Sequence, residues 1–231
     1  MPKNTDKPKE LNPWDRRPWP TEGDANIDAL YASIGLFLSQ WERHELVLSF
    51  VFASFVAGTD GTAAKRVYSA VRTFEGRADM LRAASEAYFV DFPDETLLAQ
   101  WKDTLKLAVC YSQRRNDIAH GVVDHFGLAD TWGTKTEYNR FSLYPTHSSF
   151  KERSIKGVPS YCMTSAEISY FYGRVFMLQR SAIELANKVA RKKHMKSLLR
   201  TLHEPAIQSA NQPAGPTSPQ GNEPPPQPSP G

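Results

Sequence analysis

The sequence contains few cysteines, no long apolar run and little net charge. Its two cysteines, Cys110 and Cys162, have no metal-like spacing, so we expect reduced thiols in a cytoplasmic protein. The most apolar segment, residues 46–57, is shorter than the roughly 20 residues of a membrane span, and the polar N-terminus has no apolar core of an export signal. A net charge of +3 is too small to predict nucleic-acid binding from bulk electrostatics, so any such contact would be local.

Motifs of several enzyme classes are also absent from the sequence. It has no glycine-rich phosphate loop, no nucleophile elbow and no HExxH metal motif. His125 and His147 lack the spacing of metal ligands, although either could approach a substrate. We therefore expect no metal and no cofactor.

The two ends of the chain differ from its middle in composition. Residues 1–24 form a polar leader in which Trp14 and Trp19 stand among prolines, and these rings could dock on the protein itself or on a partner. Residues 205–231 hold nine of the 17 prolines and no aromatic residue, which predicts a disordered tail. The tail would be passive or would offer EPPPQPSP as a polyproline ligand. Residues 25–204 are expected to form one helical domain.

Four segments of that domain have apolar residues at helical spacing. They cover about residues 26–57, 63–89, 95–120 and 164–202. The sequence around Thr164 and Glu167 is typical of a capping box at the start of the last helix. Between the first pair of helices Gly58 is a stop signal, and Asp91 and Asp94 are N-cap candidates before the third helix.

Residues 122–163 lose the helical period and are interrupted by glycine and proline. Residues 141–144 and 158–163 are predicted to be short strands, and we expect an irregular insertion with one hairpin. The sequence thus predicts an all-α fold, a four-helix up-and-down bundle with an irregular, partly β insertion before the last helix.

The run RNDIAHG, residues 115–121, is the most informative stretch of the chain. It places Arg115, Asn116 and His120 at the end of the third helix, which Gly121 then stops. Arginine binds phosphate through its planar fork of donors, and histidine can move a proton near neutral pH. The pairing therefore indicates phosphate chemistry.

The apolar stripe of the third helix leads into this run. The stripe predicts an inward face of the helix that turns polar over the last two turns. The apolar part is Leu98, Trp101, Leu105, Ala108 and Val109, and it continues as Ser112, Arg115, Asn116, Ala119 and His120. Gln113, Arg114 and Asp117 would lie on the outer, solvated side. Buried polar groups need partners, so the inward set would form a structural network, a site or an interface.

The spacing also favours two copies of the chain. Arg115 and His120 are five residues apart, which separates them by roughly 140° around an ideal helix. One copy cannot easily direct both side chains to one point, whereas a two-fold contact places the same helix end beside itself. We therefore expect a homodimer with a shared cleft.

At these residues the sequence resembles the HEPN superfamily of all-α bundles. Its members carry an arginine, a polar residue directly after it, and a histidine four to six positions beyond the arginine. Arg115, Asn116 and His120 match this pattern, and the layout of residues 26–202 matches the helical architecture. Neither end of the chain is covered by the resemblance.

The resemblance implies a function. Many HEPN proteins are dimeric, metal-independent endoribonucleases of toxin–antitoxin, abortive-infection and CRISPR systems. Arg115 would bind the scissile phosphate, His120 would move protons or bind the phosphate, and Asn116 would orient the histidine or the backbone. The substrate would be single-stranded or transfer RNA, the products would carry a 2′,3′-cyclic phosphate, and an antitoxin or regulatory protein would be a further partner. Other HEPN domains are non-catalytic dimerisation or regulatory modules, or nucleotide-binding partners.

Alternative roles of individual residues stay open. His120 could simply cap its helix, and Arg115 could pair with Glu42, Glu45 or Glu75. Additional substrate contacts are expected from Ser112, Glu45, Lys192 and Lys193. Glu45 is otherwise a salt-bridge partner, and the lysines, in the basic end of the last helix, are otherwise a solvated helix end.

Overall fold

The structure is a computed structural model that describes residues 10–56, 61–127, 137–146 and 159–210, with the backbone alone for residues 137–138 and 199–210. Within these ranges the chain has five helices and one two-stranded antiparallel sheet. In chain order they are α1 (Ile27–Val56), α2 (Thr62–Ala70), α3 (Phe74–Asp91), α4 (Glu95–Ala119), β1 (Gly121–Phe126), β2 (Glu137–Pro145) and α5 (Ser165–Ala210). The expectation of a mainly helical chain is confirmed, but the predicted number of helices is wrong.

The predicted second helix is two helices, α2 and α3. Val71 ends α2 in an extended conformation, with φ −75° and ψ 122°. Thr73 then begins α3 as an N-cap whose hydroxyl accepts from the Gly76 N–H at 3.2 Å. The guanidinium of Arg77 donates to the Val71 carbonyl at 2.8 Å, which stabilises the break. The interruption brings Arg72 and the start of α3 to a cleft described below.

Helix α1 packs against α2, α3, α4 and β2. Two clusters of buried apolar side chains surround it. One includes Leu48, Phe55 and Trp101, and the other joins Trp41 to Ile118 of α4 and Leu143 of β2. Full burial of such a side chain contributes about 1.5–3 kcal/mol. The second cluster therefore fixes the end of α4, where the RNDIAHG run lies.

A β-hairpin follows α4 directly. β1 pairs with β2 in antiparallel register, with Gly121 opposite Pro145 and Val123 opposite Leu143. The predicted strand 141–144 is confirmed within β2. The predicted strand 158–163 is wrong where it can be followed. Among residues 159–163, only Met163 forms a β-bridge, and its partner is Leu143. β1 was missed, although its β-branched valines follow the helix stop.

The leader packs on the helical domain over residues 10–24. Trp14 lies partly buried against the second cluster, and the Trp19 ring lies 6.3 Å from that of Tyr144. The backbone of Asp24 exchanges two hydrogen bonds of 2.8 Å with Phe141 of β2. Of the two expectations for the tryptophans, docking on the protein's own surface is therefore confirmed for Trp14, while Trp19 stays 39% exposed.

The start of α5 has two caps. The predicted capping box is confirmed, since the Thr164 N–H donates to the Glu167 carboxylate at 2.8 Å. The carboxylate of Asp24 also accepts from the Ser165 N–H and hydroxyl, at 2.7 and 2.6 Å. The leader thus holds the N-terminus of the last helix.

The last helix extends beyond its predicted end. The chain divides into two compact units, Met1–Ala190 and Arg191–Gly231, so the leader belongs to the first unit. α5 extends to Ala210, so residues 205–210 of the predicted tail are helical. Residues 211–231 and Gly58 lie outside the described residues. None of the helices that the structure describes combines the length and apolarity needed to cross a membrane.

Candidate functional site

The RNDIAHG run lies at the end of α4, as the sequence predicts, and β1 follows it directly. Asp94 caps the start of α4 by accepting from the Leu97 N–H at 2.9 Å. His120 occupies the C-cap position of α4, and a capping role of its imidazole stays a prediction. Gly121 leaves no room for a side chain, because a Cβ atom there would lie 2.7 Å from two side-chain carbons of Leu143. The glycine lets β2 approach closely and so fixes the hairpin beside His120.

The predicted inward face of this helix end is wrong. Asn116 and His120 are exposed and Arg115 is half-buried, whereas Tyr111, Arg114 and Ile118 are buried. The side of α4 covered by neighbours shifts over the last two turns, because Tyr111 and Ile118 belong to the buried cluster that also contains Leu143 and Tyr161. The motif side chains are therefore accessible to a ligand.

Arg114 and Asp117, predicted to be solvated, form a largely buried cluster with the leader. The Arg114 guanidinium lies 3.0 Å from the Asp117 carboxylate. Arg16 binds the same carboxylate through two hydrogen bonds, at 3.0 and 2.8 Å. Its guanidinium also lies 4.8 Å from the centre of the Tyr161 ring, and the Tyr161 hydroxyl donates to the Asp117 carbonyl at 2.8 Å.

Two arginines therefore share the Asp117 carboxylate. The hydrogen bond with Asp117 raises the pKa of Arg16. Burial lowers the pKa of Arg114, and the nearby Asp117 opposes that effect. Arginine does not lose its proton in proteins, so both guanidinium groups stay charged. Burial raises the pKa of Tyr161 to about 12, which keeps the phenol neutral.

Beside this cluster lies a cleft of about 600 Å³, here called the His120 cleft. Its lining combines a cation, an imidazole, an amide and hydroxyls: Arg16, Asn116, Asp117, Ala119, His120, Gly121, Thr146, Ser160 and Tyr161. The volume is within the roughly 300–1,000 Å³ of small-molecule sites. The polar lining suits an anion better than an apolar ligand.

A second cleft, of about 810 Å³, lies on the other side of Asn116 and is here called the Arg115 cleft. Arg115 faces Glu42 across it at 3.8 Å and donates to the Asn116 side chain at 3.3 Å. Of the three carboxylates expected as its partner, Glu42 is thus the one found within ion-pair distance. The Arg115 Nε is buried and has no hydrogen-bond partner among the described residues.

The structure therefore separates the arginine and the histidine of the motif. Arg115 lines one cleft, His120 lines the other, and Asn116 lines both. This arrangement agrees with the five-residue spacing, which predicts that one copy cannot direct both side chains to one point. The Asn116 side chain bonds to Arg115 and not to the histidine. The backbone carbonyl of Asn116 accepts from the backbone N–H of His120 at 3.1 Å.

The four residues predicted as further substrate contacts do not lie together. Glu45 pairs with Arg77 and accepts from the Trp41 indole at 2.8 Å, so it holds the wall of the Arg115 cleft and does not orient Arg115. Ser112 lines the same cleft, and its hydroxyl donates to the Val109 carbonyl at 2.7 Å. Lys192 and Lys193 are half-buried residues of the second unit, and burial lowers the pKa of Lys193.

Sequence reasoning missed Arg16 and Tyr161 in the His120 cleft. Neither stands near the motif in the chain: Arg16 is in the leader, and Tyr161 is near the end of the insertion. The tryptophans beside Arg16 indicate docking, but nothing in the sequence shows where. The fold alone brings these residues to Asp117.

Among the described residues, no three His, Cys, Asp or Glu side chains are grouped to hold a metal ion. Both cysteines are free thiols, and burial raises the pKa of Cys162 to about 11. Comparison of the chain with protein-family models, curated proteins and solved structures gives no match.

Proposed function

We propose that the protein is a metal-independent endoribonuclease of the HEPN type, built on a HEPN-like helical bundle. It cleaves single-stranded or transfer RNA at a composite cleft of a homodimer, in phage defence or in toxin–antitoxin growth control. An antitoxin or regulatory protein is its further partner. Arg115, Asn116 and His120 are the proposed catalytic residues.

One observation carries this proposal: the accessible, polar end of α4. Arg115 and His120 open into two adjoining clefts on either side of Asn116. The Arg115 side chain is 32% exposed, and its pair with Glu42 is loose at 3.8 Å. An incoming phosphate can therefore compete for this guanidinium through charge-assisted hydrogen bonds.

The chemistry is a transesterification. The ribose 2′-oxygen attacks the neighbouring phosphorus while its proton passes to a base, and the bond from phosphorus to the 5′-oxygen breaks. That oxygen takes up a proton and leaves as a 5′-hydroxyl, and the other product ends in a 2′,3′-cyclic phosphate. His120 is the proposed proton-transfer group, and Arg115 stabilises the charge that develops on the phosphoryl oxygens.

A second copy completes the site in this proposal. Across a two-fold axis, the Arg115 cleft of one protomer can face the His120 cleft of its partner. Two equivalent composite sites result, each with the arginine of one chain and the histidine of the other. This removes the difficulty that the two residues of one chain line different clefts.

The first test is cleavage of RNA by purified protein in the presence of EDTA. We expect products with 2′,3′-cyclic phosphate ends, and loss of cleavage in Arg115→Ala and in His120→Ala. Arg180→Ala is a matched control because it removes an arginine of α5 that lines neither cleft. Intact RNA with the wild-type protein, or cleavage by both motif variants, would contradict the proposal.

The ion pairs favour one alternative, a non-catalytic dimerisation or regulatory module. In that case the contact of Arg115 with Glu42 and the fork of Arg16 on Asp117 serve structure alone. RNA would then stay intact while Arg115→Ala changes the assembly state of the protein, which can be measured by analytical ultracentrifugation.

A further inference from the structure

The His120 cleft contains a cation that does not belong to the motif. Arg16 reaches the cleft from the leader and lies against Asp117 and the Tyr161 ring. Arg115, the cation of the motif, lines the other cleft. The His120 cleft therefore has a cation without Arg115, and this cation comes from a distant part of the same chain.

We infer that the His120 cleft is a phosphate-binding subsite in its own right, with Arg16 as the cation that the same chain supplies. The ligand class is a phosphate group, either free or as part of an RNA strand. Its assignment to RNA rests on the proposed function, whereas the binding of phosphate in the cleft does not. Arg16 is here a binding and positioning residue for the phosphate that His120 meets.

The contacts of Arg16 leave it able to bind an anion. A guanidinium has five N–H donors. Two of them bond to Asp117, and a third points to the Ser160 carbonyl at 3.4 Å. The remaining donors are held in a fixed orientation because the fork on Asp117 and the Tyr161 ring position the guanidinium plane.

The charge balance of the cleft supports the same conclusion. Asp117 is the one carboxylate in its described lining, and both of its oxygens already accept from Arg16. Arg114 neutralises it further from the buried side, at 3.0 Å. An entering phosphate therefore meets a carboxylate that two arginines already share, together with the Asn116 amide and the His120 ring. It gains charge-assisted hydrogen bonds from the donors of Arg16.

The test is a titration of the full-length protein with inorganic phosphate at constant ionic strength. Binding is followed through the NMR signals of the His120 imidazole, which are assigned by their absence in His120→Gln. We expect phosphate to shift these signals in the wild type and to bind at least about tenfold more weakly in Arg16→Ala. Arg17→Ala is the matched control, because Arg17 lies over the Tyr170 ring, 4.2 Å from its centre, and does not line the cleft.

A further variant tests the planar fork of Arg16. If Arg16→Ala does not fold, Arg16→Lys takes its place: it keeps a cation without the planar fork and should bind phosphate more weakly. Wild-type affinity in the Arg16 variants, or His120 signals that do not respond to phosphate, would overturn the inference.

A second titration distinguishes the two sources of phosphate. It uses a short 2′-O-methyl RNA, which cannot undergo attack by its 2′-oxygen. If this strand shifts the His120 signals and Arg16→Ala weakens its binding, the subsite takes the RNA backbone. If inorganic phosphate binds and the strand does not, the subsite stands and its assignment to RNA fails, together with the proposed function.

Discussion

Replacement of Asp117 by asparagine should destabilise the protein by about 3 kcal/mol. The variant keeps the size of the side chain but removes the charge that faces two arginines. Arg114 has a side chain only 9% exposed, and a buried charge that loses its partner costs about 3–5 kcal/mol. The remaining amide oxygen reduces that cost, whereas loss of the half-exposed Arg16 pair adds up to about 1 kcal/mol.

Thermal unfolding followed by circular dichroism measures this effect. At about 2–4 °C per kcal/mol for a chain of this size, the midpoint should fall by roughly 6–12 °C. Asp103→Asn is the control, because Asp103 is an exposed residue of the same helix. Arg16→Ala should lower the midpoint less than Asp117→Asn does. Equal midpoints for Asp117→Asn and Asp103→Asn would refute the conclusion that Asp117 holds a buried cation.

Two further predictions concern stability. Burial lowers the pKa of His44 to about 4, from an ordinary value near 6.5. The neutral, buried imidazole therefore contributes its full share of stability above about pH 6.5. That share is lost progressively as the pH falls from about 6.5 through 4. At pH 4.5 the loss in the free energy of unfolding that comes from His44 is roughly 2 kcal/mol. His44→Leu should therefore lose correspondingly less stability than the wild type between pH 7 and pH 4.5. Equal losses in the two proteins would contradict this. Gly121→Ala should lower the unfolding midpoint, because its Cβ would lie 2.7 Å from Leu143 and such overpacking costs about 1–3 kcal/mol. Gly173→Ala, with nothing within 4 Å of its Cβ, should raise the midpoint, and the reverse order would show that these spaces are misjudged.

Local signals in the sequence were enough to predict most of the helices. The helix of residues 95–120 was placed closely because its apolar spacing and the Asp94 cap agree on the same element. The break at Val71–Thr73 was missed because neither glycine nor proline marks it. It depends on the Thr73 cap and on the contact of Arg77 with Val71.

The motif was visible in the sequence, but its surroundings were not. The positions of Arg115, Asn116 and His120 at a helix end follow from local spacing alone. Which side of that end is buried depends on Tyr161 and on the hairpin, and both meet α4 only through the fold. The same reason explains why Arg114 was expected in solvent and why Arg16 was not expected at the site.

The central claim is that Arg115 of one chain acts with His120 of another. The most direct test mixes purified Arg115→Ala and His120→Ala proteins under conditions that allow exchange of subunits. Half of the dimers should then be mixed, and each should contain one intact composite site, so about a quarter of wild-type RNA cleavage should return. Mixtures that stay as inactive as the separate variants, although subunit exchange is demonstrated, would contradict the composite site.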